Sequence, residues 1–98
     1  MEAAQELAAV LRAACSTLAD ALDGLEDVCG VSRLLIAIHR LEHDGDRIVR
    51  AAIASLFVDG IDPTVIIRWK DLFERLEDAI DSCDKAAHLL EGIAVKRV

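Results

Sequence analysis

Between Ala3 and Leu22 the apolar residues Leu7, Leu11, Ala14, Leu18 and Leu22 return at spacings of three and four, with Leu25 continuing the row. That period predicts a helix with one buried stripe. The segment DGLEDVCGVS, Asp23 to Ser32, interrupts the row with Gly24 and Gly30 and ends on Ser32, which suits the N-cap of a second helix. That helix is expected from Ser32 to Val58 on a seam of Leu34, Ile38, Leu41, Gly45, Ile48, Ala52 and Ser55. DGIDP ends it: Asp59-Gly60 supplies the stop, and Asp62-Pro63 supplies an N-cap followed by proline at the first helical position. A third helix then runs from Pro63 to about Lys96 on Ile66, Trp69, Phe73, Leu76, Ile80, Cys83, Ala87, Leu90 and Ala94. Rods of roughly 35 to 50 Å bury such seams only by packing lengthwise. The expected fold is therefore all-α, an antiparallel up-down-up three-helix bundle forming a single domain over residues 1–98.

Composition narrows the function classes. With 54% apolar residues, one proline and aromatics limited to Phe57, Trp69 and Phe73, the chain suits a small aliphatic core. A net charge of -7 with scattered Lys and Arg argues against nucleic acid, whose phosphates require a basic face, and makes cations the better small partners. Glu2 and Glu6 stand where a signal peptide would be basic, and no apolar run is long enough for a membrane span, so a cytoplasmic location is expected. Cys15, Cys29 and Cys83 form no CxxC and read as reduced core thiols.

Beside the seam of the second helix runs another stripe, Leu35, His39, Glu42, Asp46, Val49, Ile53 and Leu56, apolar at both ends and polar in the middle. The third helix carries a similar line of Glu74, Glu77, Asp81, Asp84 and His88, so each line holds an E-x-x-x-D pair whose carboxylates share a helix face. The surrounding sequences repeat too, RLEHDGD at Arg40–Asp46 against RLEDAID at Arg75–Asp81. If the hairpin turns near residue 61, facing residues have numbers adding to about 123, so Asp46 meets Glu77, Glu42 meets Asp81 and His39 meets Asp84. Converging carboxylates repel, and a bound cation removes that repulsion.

Oxygen-rich ligands with an occasional imidazole suit iron, manganese, magnesium or zinc, and bridging carboxylates favour a multinuclear site. The candidate ligands are Glu42, Asp46, Glu77 and Asp81, with His39 and Asp84 in addition; His43 and His88 rank below them. The plain alternative is a solvated acidic face neutralised by Arg40, Arg47, Arg50, Arg75 and Lys85. Gly45 on the seam predicts close helix approach, and Trp69 and Phe73 read as core or subunit-contact anchors.

The runs LEHDGDRIVRAAIASLF and WKDLFERLEDAIDSCDKAAHLLEGIAVK resemble the C-terminal half of the PhoU-like phosphate transport regulators, the group associated with Pit-type phosphate permeases. The resemblance is weak before Val31 and strong from Leu41 to Lys96. It implies three-helix bundles with E(D)xxxD motifs that bind a multinuclear iron or other metal cluster, matched here at Glu42 and Asp46 and at Glu77 and Asp81. Family members are typically a tandem of two such units, whereas this sequence holds one.

The function the resemblance implies is a non-enzymatic accessory or regulator of phosphate uptake, cytoplasmic and docking peripherally on a membrane-embedded phosphate permease or related transporter. A second class, a ferritin-like metalloenzyme, needs Glu-x-x-His, and only the reversed His39-x-x-Glu42 occurs. A third is a helical oligomerisation module without metal. Self-association, as a homodimer, is expected because one unit should leave part of the second apolar stripe, Leu35, Val49, Ile53 and Leu56, uncovered.

Overall fold

The computed structural model describes residues 2–57 and 60–96. They form α1 (Glu2–Asp23), α2 (Val28–Leu56) and α3 (Pro63–Lys96), with no strand among the described residues. Each helix packs against both others, in a body of 58 × 17 × 15 Å that matches lengthwise packing of long rods. Residues of α2 meet those of α3 in reverse order. Ser32 meets Glu91, His39 meets Asp84, and Asp46 lies beside Glu77, each pair adding to the expected 123. Between α1 and α3 the order is the same in both, Leu7 packing with Phe73 and Ile80 and Cys15 with Cys83.

A seven-residue spacing organises the buried positions. Leu7, Ala14 and Ala21 are buried on α1, Val31, Ile38, Gly45 and Ala52 on α2, and Phe73, Ile80, Ala87 and Ala94 on α3. Such a repeat holds one seam against its partners along the whole length of coiling helices. Leu22 departs from it. One residue past Ala21, it lies beyond the seam and is 52% exposed, contrary to its expected core place. The thickest part of the core joins Leu7, Val49, Ala52, Leu56, Phe73 and Ile80, with Trp69 stacked on Phe73 at a centroid distance of 5.8 Å. Gly45 marks the close approach expected of it: a Cβ there would come within 3.2 Å of Ile80 Cδ1 and 3.5 Å of Leu7 Cδ1.

The boundary before α3 follows its local chemistry. Asp62 Oδ1 accepts the Thr64 N–H at 2.9 Å, and the Asp62 carbonyl accepts the N–H of Val65 at 2.9 Å. Gly60 takes φ +91°, the left-handed region open to glycine; Val58 and Asp59, which enter the expected stop, lie outside the described residues.

Ser32 is not the N-cap of α2. The helix starts a turn earlier at Val28, with Asp27 at the cap, and extension in that direction buries Val31. Ser32 Oγ instead donates to Glu91 Oε2 at 3.0 Å. Two further expectations are corrected. Val49 and Leu56 of that stripe are buried within the chain while Leu35 and Ile53 are half-buried, and Ser55, placed on the seam, is exposed. Of the cysteines only Cys83 is a core thiol; Cys15 and Cys29 are exposed.

Candidate metal centre

The heptad that fills the core with Val49 and Leu56 reaches Glu42 one repeat earlier, and Glu77 and Asp84 stand seven apart on the facing helix. On α2 Glu42 thus occupies a bundle position that carries apolar side chains further along, whereas the matching row of α3 is polar at Lys70, Glu77, Asp84 and Glu91. Asp84 is buried at 8% exposure, and Glu42, Asp46, Glu77 and Asp81 are half-buried. Removing carboxylates from water is unfavourable unless cations or donors meet them.

The partners differ along the line. Asp46 is met by Arg50 at 2.6 Å and Asp81 by Lys85 at 3.1 Å, each one helical turn away. Of the other neutralising residues expected, Arg47 pairs with Asp44 at 3.2 Å. Glu77 Oε2 and Asp84 Oδ1 are buried with no hydrogen-bond partner. Burial pushes the Glu77 carboxyl above the ordinary glutamate range, and the nearby charges of Asp46, Asp78 and Glu42 add to the rise. A site that raises the cost of one carboxylate's charge and leaves two buried oxygens without hydrogen-bond partners has the donor chemistry a cation satisfies. Orphaned carboxylate oxygens suit an oxygen-coordinated cation. Among the described residues, however, the three donors that converge within 4.8 Å of one another are those of His39, Glu42 and His43, and the set Glu42, Asp46, Glu77 and Asp81 does not close around one point.

Histidines border this line. His39 Nδ1 lies 3.6 Å from Asp84 Oδ2, and His88 Nδ1 lies 3.7 Å from Asp84 Oδ1 while donating to the Asp84 carbonyl at 2.8 Å. His39 and His43 sit one turn apart with their Nε2 atoms 3.3 Å from one another, and a Glu42 oxygen lies within 4.8 Å of both rings' ligating nitrogens.

The expected pairs His39–Asp84 and Asp46–Glu77 are therefore together. Glu42 gathers with His39 and His43 on α2, and Asp81 turns to Lys85. His43, ranked low from sequence, is a full member of the constellation. Its i,i+4 spacing from His39 was the signal that could have raised it. Phe73 lies in the core cluster with Trp69 packed against it.

No helix among the described residues is long and apolar enough to cross a membrane. No protein-family model matches the chain, and no solved structure matches it. It is similar to the UPF0111 protein YkaA of Bacillus subtilis (strain 168), 36% identical over 61 residues, which cover 62% of this chain and 30% of that protein. It is also similar to a UPF0111 protein of Thermotoga maritima, 32% identical over 72 residues, which cover 74% of this chain and 34% of the relative. The chain spans about a third of the length of these curated relatives, and its similarity is to one stretch of UPF0111 proteins.

Proposed function

We propose that the chain is a metal-binding, PhoU-like accessory or regulatory protein of phosphate transport, an up-down-up antiparallel bundle that acts by contact at the cytoplasmic side of a transporter and performs no catalysis. The observation that carries this reading is the pair of buried, unpartnered carboxylate oxygens, Glu77 Oε2 and Asp84 Oδ1, on the line where the doubled E-x-x-x-D motif stands. Glu42, Asp46, Glu77 and Asp81, with His39 and Asp84, would hold iron or another divalent cation such as manganese, magnesium or zinc. Bound cations at an acidic surface supply positive charge able to bridge to a carboxylate, a phosphate or a polar loop of the transporter.

The exposed apolar residues Val65, Ile67, Leu72, Leu89 and Ile93 of α3 support association with a second copy, or with a second unit of the kind the PhoU-like tandem contains. Sedimentation that finds only monomer from micromolar to millimolar concentration excludes the second copy.

One specific observation favours a metal-free helical module instead. Arg50 and Lys85 already neutralise Asp46 and Asp81. The two readings separate in cells. Deleting the gene, or replacing Glu42→Gln with Asp81→Asn in place, is expected to change phosphate uptake or the phosphate-starvation response. Unaltered uptake and response in both strains, with no second gene of the same kind present, would sink the regulator reading.

A further inference from the structure

The carboxylate line does not account for His43, nor for its meeting with His39 at the edge of that line. His39, Glu42 and His43 occupy one turn of α2 at spacings of three and four, so their side chains project from the same patch of helix. The two Nε2 atoms are 3.3 Å apart. Two imidazole nitrogens bound at about 2.0 to 2.1 Å around a tetrahedral ion lie roughly 3.3 to 3.4 Å from each other, so the observed separation is that of two ligands on one ion. A Glu42 oxygen within 4.8 Å of a ring nitrogen of each histidine offers a third donor.

A second, independent feature points the same way. The other nitrogen of His39, Nδ1, faces the Oδ2 of Asp84, a carboxylate buried at 8% exposure whose second oxygen has no hydrogen-bond partner. A carboxylate only accepts, so it favours the His39 tautomer protonated at Nδ1, which leaves the Nε2 lone pair facing His43. The contact is 3.6 Å, longer than a hydrogen bond, and a small closing of the ring onto Asp84 would make it the carboxylate–histidine arrangement that orients metal-binding imidazoles. With His39 protonated at Nδ1, its Nε2 is free to accept the Nε2–H of His43; an ion would take the place of that proton as His43 shifts to its other tautomer.

We propose that His39, His43 and Glu42 form a three-ligand site for a nitrogen-preferring divalent ion of the zinc, cobalt or nickel class, with Asp84 as the positioning residue behind His39 and one coordination place open to solvent. The site shares His39 and Glu42 with the carboxylate centre proposed above, but it does not depend on that centre. The softer imidazole pair selects against magnesium, which prefers oxygen and keeps its water. The open place suits an exchangeable ligand, such as water or a donor side chain from a docking protein.

Zinc chloride titrated into the metal-free chain at neutral pH, followed by imidazole nitrogen NMR and calorimetry, tests the proposal. One zinc per chain is expected to shift the Nε2 signals of His39 and His43 together, with His39 kept protonated at Nδ1. His43→Ala, at an exposed position that the fold does not need, is expected to abolish the His39 shift and keep any manganese-dependent stabilisation from the carboxylate line. Asp84→Asn is expected to weaken zinc by about tenfold or more and to loosen the His39 tautomer preference. Asp46→Asn with Glu77→Gln removes the carboxylate centre, and zinc binding at the histidines should survive it. Zinc that shifts neither ring, or that binds His43→Ala with unchanged affinity, overturns the proposal.

Discussion

Replacing Glu77 by glutamine should stabilise the metal-free protein and at the same time reduce its response to metal. In the folded chain the Glu77 carboxyl has one buried oxygen without a partner and carries like charges of Asp46, Glu42 and Asp78 around it. Each like-charge neighbour costs a few tenths of a kcal/mol at helix-surface exposure, and an amide that donates to Asp46 exchanges one such repulsion for a hydrogen bond of about 0.5 to 1.5 kcal/mol. The expected gain is about 1 kcal/mol, which in a domain of this size raises Tm by roughly 4 to 8 °C.

The pH dependence has a definite sign. Because the folded-state pKa of Glu77 is raised, its contribution favours folding below the ordinary glutamate range and is lost as pH rises through the folded pKa. The advantage of Glu77→Gln should therefore be small in acid and grow toward neutrality. Metal acts in the opposite direction: an ion at a hundred times its Kd adds about 2.7 kcal/mol to the wild type, a rise of more than about 10 °C. Thermal melts by circular dichroism, with and without manganese and across pH, measure all three quantities. A metal-free variant that melts below wild type, or one whose manganese-dependent rise is undiminished, refutes the reasoning.

Phe73 is fully buried and stacked under Trp69, so Phe73→Ala is expected to cost about 3 to 5 kcal/mol in urea unfolding, a large share of the stability of a small domain; a loss below about 1 kcal/mol would show that the core is not centred there. Cys15 and Cys83 bring their sulfurs to 3.8 Å across 68 residues, and diamide should join them into a disulfide that ties α1 to α3 and stabilises the oxidised chain by up to about 4 kcal/mol. Peptide mapping that finds Cys29 in the crosslink, or no crosslink, contradicts the α1–α3 pairing. Enlarging Gly45 to leucine should lower Tm, because Ile80 and Leu7 already stand at contact distance from a first carbon there.

Features that depend on neighbouring residues were the most legible from sequence. Asp62 caps α3 through its own side chain and Pro63 enters at the first turn, so that boundary could be read from adjacent letters. The antiparallel register was legible as well, because the short connection in sequence between Leu56 and Pro63 limits which residues of α2 and α3 share a height, and three separate pairs keep it.

The start of α2 was not legible, since burial of Val31 against the bundle outweighs the capping preference of Ser32. Stripe-counting also placed Leu22 inside and Val49 outside. The buried rows return every seven residues, and a list of threes and fours does not say which of two adjacent rows is the deeper one. At the candidate centre, carboxylate spacing identified the acidic line. The meeting of His39 with His43, and of Cys15 with Cys83, rests on rotamers and on packing between distant segments, which spacing alone does not specify.

The central claim is that a cation belongs to the carboxylate line between α2 and α3. Metal content, measured by inductively coupled plasma mass spectrometry on protein purified without chelator or affinity metal, tests it most directly when wild type is compared with the Glu42→Gln, Asp81→Asn variant. The expected result is iron or manganese carried by the wild type and lost from the variant, with both chains equally helical. A wild type that carries neither metal and takes up neither when supplied, or a variant that keeps the full wild-type content, would contradict the account.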